Sequence, residues 1–273
     1  MGSACGCAGE AQAGGRASYS RNRKWATRER HELLGAFRTM AYKTIVFDMD
    51  GTILDTIGDL TAAMVWALSQ TGHACDWGCD DVRHFFGSGA QVAVTRALVA
   101  ETGTDASATE SVGAGDPRAD EAEVARVLGV FKARYAEHCC ELTRPFPGIV
   151  ALLGALRESH IACAVVSNKM DPEVKRLAKT HFGGLLDAAV GECEGVRRKP
   201  APDSTLRVLD ELGADAASAV YVGDSEIDLL TARNAGLPCI AVDWGFRTHD
   251  SLVSAGAATI ASDANMLAAA IVG

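Results

Sequence analysis

The sequence has no hydrophobic run long enough to cross a membrane and no excess of positive charge. A membrane-spanning helix needs about 20 consecutive apolar residues, and no segment of the 273-residue chain approaches that length. The formal net charge is −9, with +4 on residues 1–40 and −13 on residues 41–273. Because nucleic acids attract basic surfaces, the acidic body argues against nucleic acid as a general partner. We therefore expect neither a membrane nor a nucleic acid partner.

The nine cysteines lack the spacing of a disulfide framework. Their number is odd, their intervals are irregular, and the basic stretch at residues 16–30 has no apolar core of the kind a secretory signal carries. This combination predicts reduced thiols and a cytoplasmic location. A zinc site built from Cys75 and Cys79 with His73 and His84 is a weak alternative, because the usual ligand spacing is not completed.

Residues 1–40 differ in composition from the rest of the chain. Residues 2–15 are rich in glycine and alanine, and residues 16–30 are rich in arginine. Such a segment has little with which to build a core. We predict a disordered N-terminal extension at residues 1–40, with an organellar transit segment as the alternative.

A short apolar run, Ile45-Val46-Phe47, ends at two carboxylates, Asp48 and Asp50. Its β-branched and aromatic residues predict a strand that is buried on both faces. Two carboxylates at the end of such a strand repel each other and resist desolvation. Mg²⁺, which prefers oxygen ligands, would offset both effects. The alternative is that the pair only caps the following helix.

The chain then changes from purely helical periodicity to alternating strands and helices. Residues 57 to about 140 show helical patterns, such as Ala90–Glu101 and Glu121–His138, without a convincing strand. Beyond Arg144–Gly148 strands and helices alternate, which implies a parallel sheet covered on both faces. We predict an α/β fold, a doubly wound parallel sheet with a Rossmann-like core, and an inserted all-helical cap domain. The predicted core comprises residues 41–56 and 144–273, and the predicted cap comprises residues 57–143.

Polar and charged residues follow several of the predicted strands. In a parallel sheet, ligands collect at the carboxyl ends of the strands. The residues in question are Asp48 and Asp50 after the first strand, Ser167-Asn168-Lys169 after the strand at 161–166, Arg197-Arg198-Lys199 before a helix, and Asp224, Ser225 and Asp228 after the strand at 219–222. Carboxylates, a hydroxyl and a lysine at one edge suit the handling of a phosphoryl group. Ser225 and Asp228 alone also fit a helix cap.

These four segments, in this order, resemble the motifs of the haloacid dehalogenase-like superfamily, in the branch whose helical (type 1) cap follows the first motif. The resemblance covers residues 42–273. It implies that Asp48 is the nucleophile that forms an aspartyl-phosphate and that Asp50 is the general acid and base. It further implies that Ser167 binds the phosphoryl oxygens and that Lys199 neutralises charge.

The resemblance also implies ligands for Mg²⁺ and for the substrate. The metal ligands are Asp48, the main-chain carbonyl of Asp50, and Asp224, with Asp228 as a ligand or a supporting residue. The implied substrate-binding residues are Gly51, Thr52, Asn168, Gly87, Ser88 and Gly89. The last three form a cap loop that closes over the substrate, and a plain turn between helices is the alternative.

Three further stretches resemble phosphoglycolate phosphatases: Asp55–Leu60, Val82–Gly89 and Val242–Phe246. We therefore expect a phosphatase acting on a small phosphorylated metabolite, with 2-phosphoglycolate as the first candidate. The alternatives are a sugar-phosphate phosphomutase of the β-phosphoglucomutase kind and a non-catalytic phosphometabolite sensor. The mutase is disfavoured because Gly58–Trp66 lacks the Glu and His that those enzymes carry after the first motif. The sequence is compatible with a monomer or a homodimer.

Overall fold

The structure is a computed structural model that describes residues 42–272. The predicted disordered extension at residues 1–40 lies outside the described residues. Within residues 42–272, no helix combines the length and the apolar character that a membrane crossing requires.

The described chain forms strands and helices in the following order. The strands are β1 (Thr44–Phe47), β2 (Leu54–Asp55), β3 (Arg144–Pro145), β4 (Ala162–Met170), β5 (Ala188–Glu192), β6 (Ala219–Gly223), β7 (Cys239–Val242) and β8 (Ile260–Ala261). The α-helices are α1 (Ile57–Thr71), α2 (Cys79–Phe85), α3 (Ala90–Glu101), α4 (Glu121–His138), α5 (Ile149–Glu158), α6 (Asp171–Phe182), α7 (Asp203–Glu211), α8 (Glu226–Ala235), α9 (His249–Ser254) and α10 (Ala264–Val272). Helices α1 to α4 lie between β2 and β3 in the sequence, which confirms the predicted helical insertion.

Six strands form one parallel sheet in the order β5-β4-β1-β6-β7-β8. This confirms the predicted doubly wound α/β fold. Strand β1 pairs with β4 on one side and with β6 on the other. The strand order therefore reverses at β1, and ligands of open α/β sheets bind at such a switch point. Asp48, the first residue after β1, lies there.

Strand β1 separates two hydrophobic clusters of the core. Ile45 and Phe47 belong to the larger cluster, whereas Val46 belongs to the other. This division follows from the alternation of side chains along a strand. All three side chains are fully buried, so both faces of β1 are covered, as the apolar run predicts.

The two linkers between the sheet and the helical insertion pair with each other. Strands β2 and β3 are antiparallel, with Leu54 opposite Pro145 and Asp55 opposite Arg144. The buried Asp59 carboxylate strengthens this junction, because it accepts hydrogen bonds from the backbone N–H of Leu142 and Thr143, both at 2.9 Å. The start and the end of the insertion are therefore held side by side.

Local details of the fold differ from the sequence-based expectations in three places. Strand β4 continues to Met170 through an irregular register after Val166, so Ser167-Asn168-Lys169 lies within the strand. Helix α2 was not predicted, and Asp81 accepts a hydrogen bond from Gly78 N (3.0 Å) at its start. The pattern Asp171-Pro172-Glu173 predicts Asp171 as the N-cap of α6, but Asp171 is the first residue of that helix, and its carboxylate accepts a hydrogen bond from Gly191 N.

Candidate active site

Three buried aspartates meet at the carboxyl edge of the sheet. Asp48 follows β1, Asp224 follows the neighbouring strand β6, and Asp228 lies in the first turn of α8. One carboxylate oxygen from each lies within 4.8 Å of the other two. Because β1 and β6 are adjacent and parallel, their ends bring Asp48 and Asp224 together. Such a cluster needs positive charge nearby, since buried carboxylates repel one another.

Lys199 supplies positive charge to the cluster. Its side chain is only 3% exposed, and its Nζ lies 2.6 Å from Asp48 Oδ1 and 2.8 Å from Asp228 Oδ1. Burial lowers the pKa of Lys199, but Asp228 and Asp48 raise it by more, so its pKa lies well above the ordinary value. The lysine is therefore charged and bridges two of the three carboxylates.

Lys199 does not neutralise all the negative charge of the three carboxylates. Burial, followed by the charge of Asp228, raises the pKa of Asp224 to about 7. Burial also raises the pKa of Asp48, although Lys199 acts in the opposite direction. When all three carboxylates are ionised, the cluster with Lys199 carries two uncompensated negative charges. This donor set of hard oxygens fits a divalent cation such as Mg²⁺.

Glycine backbone packs closely around Asp224. Gly51 has a φ of +80°, and a Cβ at Gly51 or at Gly245 would overlap with the Asp224 side chain. Asp224 Oδ2 also accepts a hydrogen bond from Phe246 N at 2.7 Å, and Oδ1 accepts one from Thr52 Oγ1 at 3.3 Å. Gly51 and Thr52 therefore lie behind the acidic cluster, where they support Asp224.

Asp228 has hydrogen-bond partners on both oxygens. Oδ1 accepts from Lys199 Nζ and from Tyr221 Oη, and Oδ2 accepts from the backbone N–H and the hydroxyl of Ser225. The contacts between Asp228 and Ser225 are those of a helix cap, as the capping alternative predicts. Asp228 also belongs to the aspartate cluster. Asp228 is thereby fixed beside Lys199.

The side chain of Asp50 lies outside the aspartate cluster. Its Oδ1 is 3.0 Å from Lys169 Nζ, and Asp50 lines a pocket together with Asp48, Ser167 and Lys199. Asp48 and Asp50 therefore face the same space but have different neighbours. This arrangement leaves Asp50 available for proton transfer.

The cap contributes one side of this pocket. Gly87 and Gly89 line it from the loop between α2 and α3, and Phe131 and Tyr135 line it from α4. Ser88 is not among the described residues that line it. Gly87 and Gly89 of the cap loop therefore line the same pocket as Asp48, and closure of the loop over a substrate stays a prediction.

Asn168 uses its amide to position other parts of the site. Its Oδ1 accepts a hydrogen bond from Lys199 N at 2.8 Å, and its Nδ2 donates to Lys199 O at 3.2 Å and to Gly87 O at 3.4 Å. The residue therefore connects the lysine of the core to the cap loop. This arrangement indicates a positioning role for a residue that was predicted to bind substrate.

Two contacts of this region have no clear signal in the sequence. Arg247, in the segment after β7, has a side chain only 1% exposed. Its guanidinium donates to Glu226 Oε2 (3.0 Å) in the core and to Phe86 O (3.3 Å) in the cap. Lys169 Nζ of β4 donates to Tyr135 Oη of α4 at 2.6 Å. Both contacts join residues that are far apart in the chain and cross between core and cap.

Known proteins share this sequence and architecture. The profile of the haloacid dehalogenase-like hydrolase family matches residues 45–242. Phosphoglycolate phosphatase 1 of Pseudomonas aeruginosa is 32% identical over 228 residues, which is 83% of this chain and 78% of that protein. A phosphoglycolate phosphatase of Rhodospirillum rubrum is 33% identical over 226 residues, which is 81% of this chain and 87% of that protein.

A solved structure supports the same relationship. It comes from Lactobacillus delbrueckii subsp. bulgaricus, and phosphoglycolate phosphatase activity has been proposed for that protein. Its TM-score is 0.82 at 47% identity, with coverage of 85% of this chain and 99% of that chain. The family match includes the acidic cluster and the strands of the sheet other than β8, and the relatives also cover the helical insertion. The chain therefore belongs to the haloacid dehalogenase-like hydrolases and is a phosphatase of the phosphoglycolate phosphatase-like kind.

Proposed function

We propose that the protein is a Mg²⁺-dependent phosphatase that hydrolyses a small phosphate monoester, with 2-phosphoglycolate as the first candidate substrate. The observation that carries the proposal is that Asp48, with Lys199 at 2.6 Å, and Asp50 face one pocket beneath the cap. The choice of 2-phosphoglycolate is supported by the names of the two phosphoglycolate phosphatases described above. A cytoplasmic location and a monomeric or homodimeric state stay predictions.

In the proposed reaction, a carboxylate oxygen of Asp48 attacks phosphorus and the ester P–O bond breaks, which gives an aspartyl-phosphate. Asp50 donates a proton to the leaving alcohol oxygen. Asp50 then takes a proton from a water molecule, whose oxygen attacks phosphorus and releases inorganic phosphate and the Asp48 carboxylate. Ser167 and Lys199 bind the phosphoryl oxygens and offset their charge.

Asp48 and Asp224 would hold the Mg²⁺ ion together with the main-chain carbonyl of Asp50, and Asp228 would support them. When bound, the ion supplies positive charge that orients the phosphoryl group and stabilises charge at its oxygens. The cap excludes bulk water from the pocket, which protects the covalent intermediate from uncontrolled side reactions. Asn168 keeps Lys199 and the cap loop in register during these steps.

A panel of phosphate esters, assayed with Mg²⁺ and with a chelator, tests this proposal. We expect phosphate release from 2-phosphoglycolate only when Mg²⁺ is present. Asp48→Asn should abolish turnover, whereas Asp210→Asn, on the exposed face of α7, should leave it unchanged. Full activity of Asp48→Asn would refute the nucleophile assignment.

The same panel separates the two alternative functions. Isomerisation of a sugar phosphate without phosphate release would indicate a phosphomutase. Tight binding of a phosphorylated metabolite without turnover would indicate a sensor. A requirement for Asp48, Asp50 and Lys199 together argues against the sensor, and phosphate release argues against the phosphomutase.

A further inference from the structure

Lys169 and Tyr135 form a buried polar pair at the boundary between the core and the cap. Lys169 Nζ lies 2.6 Å from Tyr135 Oη and 4.2 Å from the centroid of the Tyr135 ring. The Lys169 side chain is 6% exposed and Tyr135 is 3% exposed. Both residues line the pocket that contains Asp48 and Asp50. The mechanism above uses neither of them.

The pair has hydrogen-bond donors to spare. An ammonium group has three N–H donors. Among the described residues, Lys169 Nζ donates a hydrogen bond to Tyr135 Oη and forms an ion pair with Asp50 Oδ1, an oxygen that accepts no hydrogen bond. The Tyr135 hydroxyl accepts from Lys169, so its own hydrogen is left to donate. Among residues 42–272, Tyr135 Oη accepts from Lys169 and donates no hydrogen bond. Buried donors normally find an acceptor, and the pocket is where a ligand can provide one.

The position of the pair relative to Asp50 indicates which part of a substrate it meets. As the general acid, Asp50 must contact the oxygen of the leaving alcohol. Lys169 Nζ lies 3.0 Å from Asp50 Oδ1, on the pocket side occupied by the cap residue Tyr135. The group attached one carbon beyond the ester oxygen would therefore lie beside Lys169 and Tyr135.

We infer that Lys169 and Tyr135 are specificity-determining residues that bind a carboxylate one carbon beyond the ester oxygen of the substrate. A cation and a hydroxyl that converge on one point match a carboxylate, which accepts hydrogen bonds on both oxygens. This inference rests on the proposed function, because it assumes that Asp50 faces the leaving group. Since Tyr135 lies on the cap and Lys169 on the core, the carboxylate is fully bound only when the cap is closed.

Another charged residue of the pocket limits where an anion can bind. Glu173 of α6 is 6% exposed and lines the same pocket. Its Oε2 accepts no hydrogen bond from a described residue. A carboxylate of the substrate close to Glu173 would be repelled. Within this pocket, the substrate carboxylate therefore binds beside Lys169 and Tyr135 and not beside Glu173.

The test compares two substrates that differ only at the carboxyl group: 2-phosphoglycolate and its amide, 2-phosphoglycolamide, in which an uncharged NH₂ donor replaces one carboxylate oxygen. A hydrogen bond to a charged group contributes about 1.5–3 kcal/mol, so we expect wild-type kcat/KM to favour the acid by about 10- to 100-fold. Tyr135→Phe keeps the ring beside Lys169 and removes only the hydroxyl. We expect it to reduce kcat/KM for the acid about 5- to 10-fold and to leave that for the amide unchanged.

Lys169→Gln should abolish the preference, so that the kcat/KM ratio of acid to amide falls to about 1. Its loss of the Asp50 contact lowers activity on both substrates, which is why the ratio is the readout. Lys179→Gln, on the exposed face of α6, is the control for loss of a lysine and should keep the wild-type ratio. Equal losses on both substrates in Tyr135→Phe or Lys169→Gln, with normal circular dichroism, would overturn the inference.

A binding measurement separates failure of this inference from failure of the proposed function. If wild-type protein hydrolyses both esters at equal rates, the phosphatase proposal holds and the specificity assignment is wrong. If it hydrolyses neither, calorimetric titration of Asp48→Asn with the acid and the amide tests the inference directly. Tighter binding of the acid that is lost in the Asp48→Asn, Lys169→Gln double variant supports it, and equal affinities refute it.

Discussion

Replacing Lys199 with methionine tests whether one ammonium group stabilises the acidic cluster. The substitution keeps an unbranched side chain and removes the charge that lies 2.6 Å from Asp48 and 2.8 Å from Asp228. Breaking a buried ion pair from one side costs about 3–5 kcal/mol. For a chain of this size each kcal/mol corresponds to about 2–4 °C in Tm, so we expect a decrease of about 6–20 °C in the presence of a chelator.

Mg²⁺ should restore part of this lost stability. In Lys199→Met the three ionised carboxylates carry a charge of −3, so a divalent cation is attracted more strongly than to the wild-type cluster. A ligand that binds only the folded state raises Tm according to its affinity. Millimolar Mg²⁺ should therefore raise the Tm of Lys199→Met by more than that of the wild type.

The assay is thermal unfolding followed by circular dichroism, with chelator and with Mg²⁺. Lys179→Met, on the surface of α6, serves as the control and should melt within about 2 °C of the wild type in both conditions. If Lys199→Met also melts within about 2 °C of the wild type in chelator, Lys199 does not stabilise the acidic cluster. Equal increases in the Tm of Lys199→Met and of the wild type on addition of Mg²⁺ would also contradict this role.

Three other predictions concern the junction, the glycine beside the acidic cluster, and pH. Asp59→Ala should reduce the free energy of unfolding by about 3 kcal/mol and speed amide hydrogen exchange at residues 142–143, whereas unchanged protection there would contradict the assigned contact. Gly51→Ala should abolish Mg²⁺ binding in calorimetry, while Gly72→Ala, which has a similar φ of +79° and open space around it, should cost only about 1–2 kcal/mol and bind normally. Burial, followed by the charge of Asp228, raises the pKa of Asp224 to about 7 in the folded protein, against about 3.9 in the unfolded chain. Between these two pH values the folded state binds one more proton than the unfolded state. In the presence of a chelator, the protein should therefore lose stability as pH rises from about 4 to 7. Saturating Mg²⁺ should flatten that part of the Tm profile, and a flat profile in chelator would refute the assignment.

The sequence predicted the central strand and its carboxylates because their pattern is local. Ile45, Val46 and Phe47 form an apolar run of β-branched and aromatic residues, which favours a strand covered on both faces, and Asp48 follows it directly. The roles of Lys199 and Asp224 came instead from the resemblance to a family. Spacing alone does not show that residues separated by more than a hundred positions meet at one sheet edge.

The contacts that the sequence did not reveal cross the boundary between cap and core. Lys169 and Tyr135 are 34 positions apart; the sequence places Lys169 among the polar residues that follow a strand, but it gives no sign of the contact with Tyr135. Arg247 looks like a surface residue of a loop, yet its guanidinium is buried against Phe86 O. Asp59 resembles an ordinary acidic residue of a first helical turn, but it fixes residues 142–143. Each assignment depends on how the helical insertion sits on the sheet, which periodicity does not determine.

The antiparallel pairing of β2 with β3 allows the helical insertion to be replaced as one unit. Its two ends lie next to each other, with Asp55 opposite Arg144. A different segment with the same spacing between its ends can therefore be joined there without altering the six-stranded sheet. The acidic cluster and Lys169 belong to the core, whereas Tyr135 and the cap loop belong to the insertion. Exchange of the insertion therefore replaces only the cap residues that face a substrate, and chimaeras joined at this pair of strands should inherit the selectivity of the cap donor only where the core keeps a lysine at position 169.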